Sequence, residues 1–154
     1  MAHRQDHDSI GRRIACIHRQ VLTYIDRELA EFGIGRATFH FFRLICAHDG
    51  IRQEELARLL SVDKATATRA VSKLESLGYA ARERDPADGR AYLVRPTPLA
   101  QEIYPLMTQT LQRLTEILSS HLSHEERSAV RKLLTRMDNN ISAYLQSTRD
   151  SASK

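Results

Sequence analysis

Three stretches of the chain place apolar residues three or four positions apart, which is the spacing of one face of an α-helix. They cover residues 9–32, 98–121 and 124–146, and each predicts a long helix. A helix of about 24 residues is about 36 Å long, so these apolar faces are too long for a small central lobe to cover. We expect them to pack on each other and on a second copy of the chain, the alternative being a self-contained monomeric bundle. The residues predicted to form the dimer contact are Ile10, Ile14, Ile17, Val21, Met137, Ile141, Tyr144 and Leu145.

Shorter elements are predicted between the first two long helices. Residues 36–47 are apolar on most sides, residues 51–60 form a short amphipathic stretch, and both predict helices. After a tight turn at Ser61-Val62, another helix is predicted over residues 63–77, with Asp63 or Ser61 as its N-cap. Gly78 ends this helix, because glycine readily adopts the left-handed conformation that follows a last helical turn. The inner face of the helix is predicted to consist of Ala67, Ala70, Val71, Leu74 and Leu77.

The period then changes to that of β-strands. "YAARER" and "AYLVR" flank the turn sequence "DPADG", which predicts a small hairpin. Because Pro96 lacks a backbone N–H, the second strand should end at or before Arg95. A short helix, a turn, a helix and a hairpin in this order form a winged helix-turn-helix. We therefore predict a mainly α fold with a β-hairpin wing, and long N- and C-terminal helices that form a dimerisation domain.

This order of elements divides the chain into four parts. Residues 1–35 are expected to be an N-terminal dimerisation helix, and residues 36–97 the winged helix-turn-helix lobe. Residues 98–146 are expected to be the C-terminal dimerisation helices, the last of them beginning at a capping box, "SHEE" at 123–126. Residues 147–154 are expected to be a polar, frayed tail.

The helix predicted over 63–77 begins with small residues. Ala65, Thr66, Ala67 and Thr68 are followed by Arg69, and Lys73 lies one turn further on. A helix that enters the major groove of DNA must approach the base edges closely, which favours short side chains at its front end. The alternative is that these residues only cover a solvated helix surface. The short helix before them and the basic hairpin after them favour the DNA-binding interpretation.

The hairpin loop offers a second candidate contact with DNA. Arg90 follows Gly89 at the loop, from where an arginine can reach into the narrow, electronegative minor groove. Asp88 is placed to hold the Arg90 guanidinium by a bidentate pair. The alternative is an exposed ion pair of little energetic value.

Composition and charge permit an anionic partner. The 154 residues suit one domain, or one compact unit with a lobe, and carry a net charge of +4. Residues 64–95 hold seven Lys or Arg against four acids, so most of the excess lies in the predicted lobe. "MAHRQDHDSIGRR" lacks the apolar segment of a signal peptide, and no apolar run is long enough to span a membrane. We therefore expect a cytoplasmic protein.

Nothing in the sequence predicts an enzyme, a metal site or a cofactor. Cys16 and Cys46 fit neither a disulfide framework nor a metal spacing, and both are expected to be small buried residues. The seven histidines are scattered, and "SHEERS" lacks the second histidine of the His-Glu-x-x-His zinc signature. The sequence contains no phosphate-binding glycine loop, no nucleophile elbow and no pair of carboxylates within a recognisable catalytic motif.

The segment "EELARLLSVDKATATRAVSKLESLGYAARERDPADGRAYLVRPT" resembles the DNA-binding lobe of the MarR (multiple antibiotic resistance regulator) family. The matching features are an L-x3-L-x-V-x(8)-V-x2-LE-x2-G frame, the aromatic residue after that glycine, and the D-x-R wing. With the flanking long helices, the resemblance covers about residues 9–146. It implies a homodimeric transcription regulator, commonly a repressor, that binds double-stranded DNA through its winged lobe. The residues expected at the DNA are Lys64, Ala65, Thr66, Thr68, Arg69, Ser72, Lys73, Arg84, Asp88 and Arg90.

The resemblance also implies regulation by a small molecule or an oxidant. Aromatic or anionic effectors of this family bind between the dimer helices and the DNA-binding lobe, where Tyr24, Arg36, His40 and Arg95 are candidate ligands. The peroxide-sensing branch is disfavoured, because its reactive cysteine aligns with Gly11 here. The family usually ends its wing with Leu-Thr and a glycine three residues later, whereas this chain has Pro96-Thr97-Pro98-Leu99-Ala100. We therefore expect the wing to join the next helix differently here, and a hinge at this junction is not carried over from the family.

A different class of function stays open at this point. The chain could be a helical module that uses the winged fold to bind a protein instead of DNA. The small residues at the front of the 63–77 helix disfavour this alternative, because protein-binding helices usually present large apolar anchors.

Overall fold

The computed structural model describes the backbone of residues 9–152, and the side chains of that range except at positions 89–90 and 149–152. Six α-helices and a three-stranded antiparallel sheet make up this part of the chain, which confirms the predicted mainly helical winged fold. The helices are α1 (Ile10–Glu28), α2 (Phe39–Ala47), α3 (Gln53–Leu59), α4 (Lys64–Ser76), α5 (Pro98–Leu118) and α6 (His124–Ala152). The strands are β1 (Ile51–Arg52), β2 (Ala80–Asp85) and β3 (Asp88–Pro96). None of the helices within residues 9–152 has the length and apolar character that crossing a membrane requires.

The chain forms two compact units that meet between Leu114 and Thr115. The first unit holds the winged lobe, α1 and most of α5, and its apolar core is continuous. Each of these helices and the sheet contributes fully buried side chains, so the packing of this core fixes the position of α4. The largest of them are Phe42, Ile25, Leu29, Ile34, Ile45, Ile51, Leu56, Leu74, Met107, Val71 and Val94.

The wing sheet has the strand order β1-β3-β2, with β3 in the centre. Ile51 lies opposite Val94 in the β1–β3 pair, and Ala80 lies opposite Pro96 in the β2–β3 pair. Two expectations were wrong here. Residues 51–52 form a strand and not the start of a helix, because Ile51 is buried against the sheet. β3 ends at Pro96, one residue later than expected. Pro96 has no N–H to donate, but the N–H of the following residue, Thr97, donates to the Tyr79 carbonyl at 3.2 Å and so continues the pairing with the start of β2.

The first two helices are shorter than the apolar pattern predicts. α1 ends at Glu28, and a 3₁₀ turn over Ala30–Phe32 completes the segment before Gly33, which has a φ of +65°. α2 begins at Phe39 instead of residue 36. The three preceding residues form a turn, in which the Gly35 N–H donates to Thr38 Oγ1 at 3.2 Å.

The termini of α4 agree with the sequence prediction. Asp63 is the N-cap and accepts the Thr66 N–H at 2.8 Å, while Ser61 occupies the turn with a φ of +53°. Gly78 follows the last turn with a φ of +78°, a conformation that side chains with a Cβ rarely adopt.

The second unit contains the end of α5 and all of α6. The predicted capping box is present: Ser123 Oγ accepts the Glu126 N–H at 3.2 Å, and the Glu126 carboxylate accepts the Ser123 N–H at 2.7 Å. α6 continues to Ala152, so the backbone of residues 147–152 extends the helix beyond its predicted end at residue 146. Residues 153–154 of the predicted tail lie outside the described residues.

Much of the predicted dimer contact is solvent-exposed in the single chain. Val21 and Met137 are half-buried, and the six other residues predicted there are exposed. Cys16 lies in the same part of α1 and is also exposed, so its expected burial within the chain was wrong. The exposed fractions are 61% for Ile10, 42% for Ile14, 49% for Ile17, 53% for Ile141, 64% for Tyr144 and 49% for Leu145.

Candidate nucleic-acid interface

α4 has one buried face and one face open to solvent. The buried face consists of Ala67, Ala70, Val71 and Leu74, which pack into the core of the first unit. Ala67 was also among the small residues assigned to the front of the helix, and it belongs wholly to the core. The other candidate residues on α4 lie away from the core, with Thr66 half-buried and the following exposed: Lys64, Ala65, Thr68, Arg69, Ser72 and Lys73.

A local network orders the first turn of α4. The Asp63 carboxylate accepts the Thr66 hydroxyl at 2.7 Å in addition to the Thr66 N–H, and Arg69 Nη2 donates to Thr66 Oγ1 at 2.9 Å. The Thr66 hydroxyl and then its backbone N–H lower the pKa of Asp63. Asp63 therefore stays ionised, and the Arg69 guanidinium is held over the start of the helix.

A second network joins α4 to α3 and the wing. Gln53 Nε2 donates to Thr68 Oγ1 at 2.8 Å, and Gln53 Oε1 accepts from Arg82 Nη2 at 3.1 Å. Arg82 is in turn paired with Glu75 of α4 at 2.5 Å. The sequence analysis missed Gln53, Arg82 and Glu75, because these contacts join residues that are far apart in the sequence and follow no helical or strand period.

The turn end of the wing is tied to β1 by an ion pair that was also missed. Asp85 is only 7% exposed, and its Oδ2 accepts from Arg52 Nε at 2.9 Å and from Nη2 at 2.5 Å. Asp85 Oδ1 accepts the Ala87 N–H at 2.9 Å. That N–H, followed by the Arg52 guanidinium, lowers the pKa of Asp85. The available signal was the Asp before Pro86 in "DPADG", since aspartate often accepts a hydrogen bond from the N–H two residues later in a turn.

The remaining wing candidates are only partly described. Asp88 Oδ2 lies 3.8 Å from Arg52 Nη2, so Asp88 borders the same ion pair. Arg84 is exposed on β2, with its guanidinium 5.9 Å from the ring centroid of Tyr92. The Arg90 side chain lies outside the described residues, so its predicted minor-groove role and its pairing with Asp88 stay predictions.

A cavity of about 370 Å³ opens between the start of α3, α4 and the wing. Its walls include three cations and two acids, and the Gln53 amide lies among them. A mixed polar cavity of this kind suits a phosphate backbone better than an apolar ligand. The charged residues that line it are Arg52, Lys64, Arg82, Glu54 and Asp88.

The structure brings together only two of the four predicted effector residues. Arg36 and His40 line a cavity of about 380 Å³ whose other walls include Phe41, Leu59 and Val62. Desolvation, helped by the charges of neighbouring cations, lowers the pKa of His40. Arg36 is already paired with a carboxylate, because its Nε donates to Asp26 Oδ2 at 2.6 Å.

The other two effector candidates have partners elsewhere in the first unit. Tyr24 donates its hydroxyl to the Thr110 carbonyl at 3.4 Å. Arg95 Nη1 donates to Asp49 Oδ1 at 2.5 Å, and Arg95 Nε lies 2.8 Å from Glu83 Oε2 without being aligned for a hydrogen bond.

Of the two free cysteines, Cys16 is exposed and Cys46 is half-buried. Burial raises the pKa of the Cys46 thiol to about 11, so the thiol stays protonated and poorly nucleophilic at neutral pH. Among the side chains that the structure describes, no three His, Cys, Asp or Glu residues are grouped closely enough to hold a metal ion.

Comparisons with known proteins agree on one family. Residues 32–91 match the sequence model of the MarR family. The uncharacterized HTH-type transcriptional regulator YybA of Bacillus subtilis is 30% identical over 134 residues, which are 87% of this chain and 89% of that protein. A solved MarR protein from Peptoclostridium difficile is 36% identical with a TM-score of 0.82, covering 87% of this chain and 88% of that one.

One similar structure contains DNA. It is a putative MarR family regulator from Listeria monocytogenes complexed with a 26mer DNA. It is 26% identical to this chain, with a TM-score of 0.81 over 88% of this chain and 91% of that one.

Proposed function

This chain belongs to the MarR family of DNA-binding transcriptional regulators and is not an enzyme, and from that premise we propose how it binds its operator. The protein acts as a homodimeric repressor of a pseudo-palindromic site. α4 enters the major groove, Arg90 enters the minor groove beside it, and a small molecule releases the complex.

The solvent face of α4 is the observation that carries this proposal. Lys64, Arg69 and Lys73 supply positive charge, and the residues between them are short, so the helix backbone can approach the base edges. The exposed part of α4 carries no large apolar side chain of the kind that anchors a protein partner. This arrangement favours nucleic acid over the alternative protein-interaction module.

Exposed apolar side chains support the dimer. α1 exposes several large apolar side chains, among them Ile14, and so does α6, among them Ile141. Several large apolar side chains exposed on one helix face are typical of a protein interface, and a second copy would cover both faces. A two-fold dimer would present two α4 helices to half-sites about 34 Å apart, one turn of B-DNA.

Release by a ligand rests on the cavity that contains Arg36 and His40. Its apolar wall suits an aromatic group, and the Arg36 guanidinium, which is paired with Asp26, is the cation that a ligand carboxylate would meet. Because Thr66 of α4 lines the same cavity, a ligand there would touch the helix that reads DNA.

The proposal is tested by selecting duplexes from a random pool and then varying the spacing of the recovered half-sites. We expect two inverted half-sites whose centres are about 10–10.5 base pairs apart. Inserting about five base pairs between them turns one half-site to the opposite side of the duplex and should abolish tight binding, whereas about ten should restore part of it. Recovery of a single unpaired site, or indifference to the insertion, would contradict the dimeric mode.

A further inference from the structure

The hydroxyl group of Thr68 is held by a polarised chain of hydrogen bonds. Arg82 Nη1 donates to Glu75 Oε2 at 2.5 Å, and Arg82 Nη2 donates to Gln53 Oε1 at 3.1 Å. Gln53 Nε2 in turn donates to Thr68 Oγ1 at 2.8 Å. Thr68 Oγ1 also lies 2.8 Å from the Lys64 carbonyl oxygen, one helical turn earlier.

The direction of each bond follows from the chemistry of the groups. A guanidinium can only donate, so the Gln53 amide must turn its oxygen to Arg82 and its nitrogen to Thr68. The amide nitrogen can only donate, so Thr68 Oγ1 accepts from it. The single hydroxyl proton of Thr68 then goes to the Lys64 carbonyl, which can only accept.

This chain of bonds removes the hydroxyl proton of Thr68 from base recognition. Thr68 is exposed on α4, and it can still offer a base edge its γ-methyl group and the second acceptor lone pair of Oγ1. Among the base edges in the major groove, the C5-methyl of thymine is the apolar feature, and threonine methyls suit it.

We propose that Thr68 reads a thymine through its γ-methyl group, and that Gln53 is the positioning residue that keeps the hydroxyl turned away. This inference rests on the proposed entry of α4 into the major groove. It narrows that proposal to one base type at one position of each half-site.

Thr66 shows why the inference is confined to Thr68. The Thr66 hydroxyl is engaged too, since it donates to Asp63 and accepts from Arg69. Arg69 is an exposed cation that would leave Thr66 for the DNA, so both acceptor lone pairs of the Thr66 hydroxyl would then be open to DNA. Arg82 is already paired with the Glu75 carboxylate, which favours retention of its bond to Gln53 when DNA is bound.

The test replaces each thymine of the selected operator by deoxyuridine, which lacks only the methyl group, and measures affinity by fluorescence anisotropy. One position in each half-site should lose about fourfold in affinity, the value of one buried methyl-sized group. Thr68→Val keeps a γ-methyl group and removes the hydroxyl, so this variant should also bind the deoxyuridine duplex about fourfold more weakly than the thymine duplex. Thr68→Ser keeps the hydroxyl and removes the methyl, so it should bind thymine and deoxyuridine equally at that position.

Gln53→Ala tests the positioning role separately. It should reduce the deoxyuridine effect at that position by a larger factor than it reduces affinity for unrelated duplexes, because Gln53 also lines the polar cavity beside α4. A deoxyuridine effect that is unaltered in Gln53→Ala would remove Gln53 from the proposal.

The possible failures are distinguishable. If a palindromic operator is selected but no deoxyuridine substitution weakens binding, the thymine contact is wrong and the proposed function stands. Loss of base preference in Thr68→Val would show that the hydroxyl reads the base, and would also overturn the inference. If no duplex is selected at all, the major-groove placement of α4 fails together with the inference.

Discussion

Asp85 ties the wing to the rest of the winged lobe at the scale of single residues. Its carboxylate holds Arg52 of β1 with one oxygen and the Ala87 N–H with the other. Removal of one partner of such a nearly buried ion pair is destabilising, because Arg52 would be left without its main partner. The wing turn and the short β1 strand therefore depend on each other through this residue.

Replacement of Asp85 by asparagine tests this dependence. Asp85→Asn keeps an acceptor for the Ala87 N–H but loses the charge that binds Arg52, so we expect the melting temperature to fall by about 2–4 °C. Glu83→Gln is the matched control, because it removes the same charge from an exposed position of the same strand. Equal melting temperatures for the two variants, measured by circular dichroism, would contradict the role given to Asp85.

The sequence predicts the exposed residues of the interface better than the residues that hold them. Lys64, Arg69 and Lys73 follow from the helical period, which separates the buried face of α4 from its solvent face. Gln53 reaches Thr68 across 15 positions and Arg82 across 29, and no local pattern carries such contacts. The Asp85–Arg52 pair spans 33 positions and was missed for the same reason.

At the scale of elements, the first turn of α4 depends on its cap. Asp63 accepts both the backbone N–H and the hydroxyl of Thr66, and the hydroxyl in turn holds Arg69.

The long amphipathic helices and α4 were predictable from the sequence, because their apolar periodicity extends over many residues. The strand β1 was not, because two residues have no measurable period, and the end of α6 was not, because polar residues at an exposed helix end give no stop signal.

The cap of α4 makes a prediction about pH. The pKa of Asp63 is lowered in the folded protein, so its contribution is fully present above its unfolded pKa of about 3.9 and is lost as pH falls through the lower folded value. Asp63→Ala should lower the melting temperature by a few degrees at pH 7.

The difference between Asp63→Ala and the native protein should shrink as the pH falls below about 4. Asp63→Asn is the control that keeps a capping acceptor without the charge, and its melting temperature at pH 7 should fall less than that of Asp63→Ala. A gap between native protein and Asp63→Ala that stays constant down to acidic pH would contradict the charged cap.

At the scale of the whole molecule, α1 and α6 each leave several large apolar side chains in solvent when the chain is alone. Ile10, Ile14 and Ile17 on α1 resemble a core face, as do Ile141 and Leu145 on α6. If a second copy covers them, folding and association are coupled, and stability depends on protein concentration.

Ile141→Glu tests the proposed dimer directly. Ile141 is 53% exposed in the single chain, so the substitution should cost the isolated chain little but place a charge in the dimer contact. Sedimentation equilibrium at micromolar concentration should show monomers for this variant. Asn140→Glu, at the neighbouring exposed position, should remain a dimer. Dimers of equal strength for both variants would place the contact elsewhere.

The central claim is that the solvent face of α4 binds the DNA backbone and bases, and the salt dependence of operator affinity tests it most directly. Fluorescence anisotropy on the selected duplex should show affinity falling by at least about a hundredfold between 50 and 200 mM salt. Lys73→Ala should reduce the slope of log K against log salt by about one for each phosphate that Lys73 neutralises, and Lys132→Ala, which removes a cation from α6, should leave the slope unchanged. A slope near zero, or an equal change from the two lysine variants, would contradict the assignment of α4 as the DNA-binding helix.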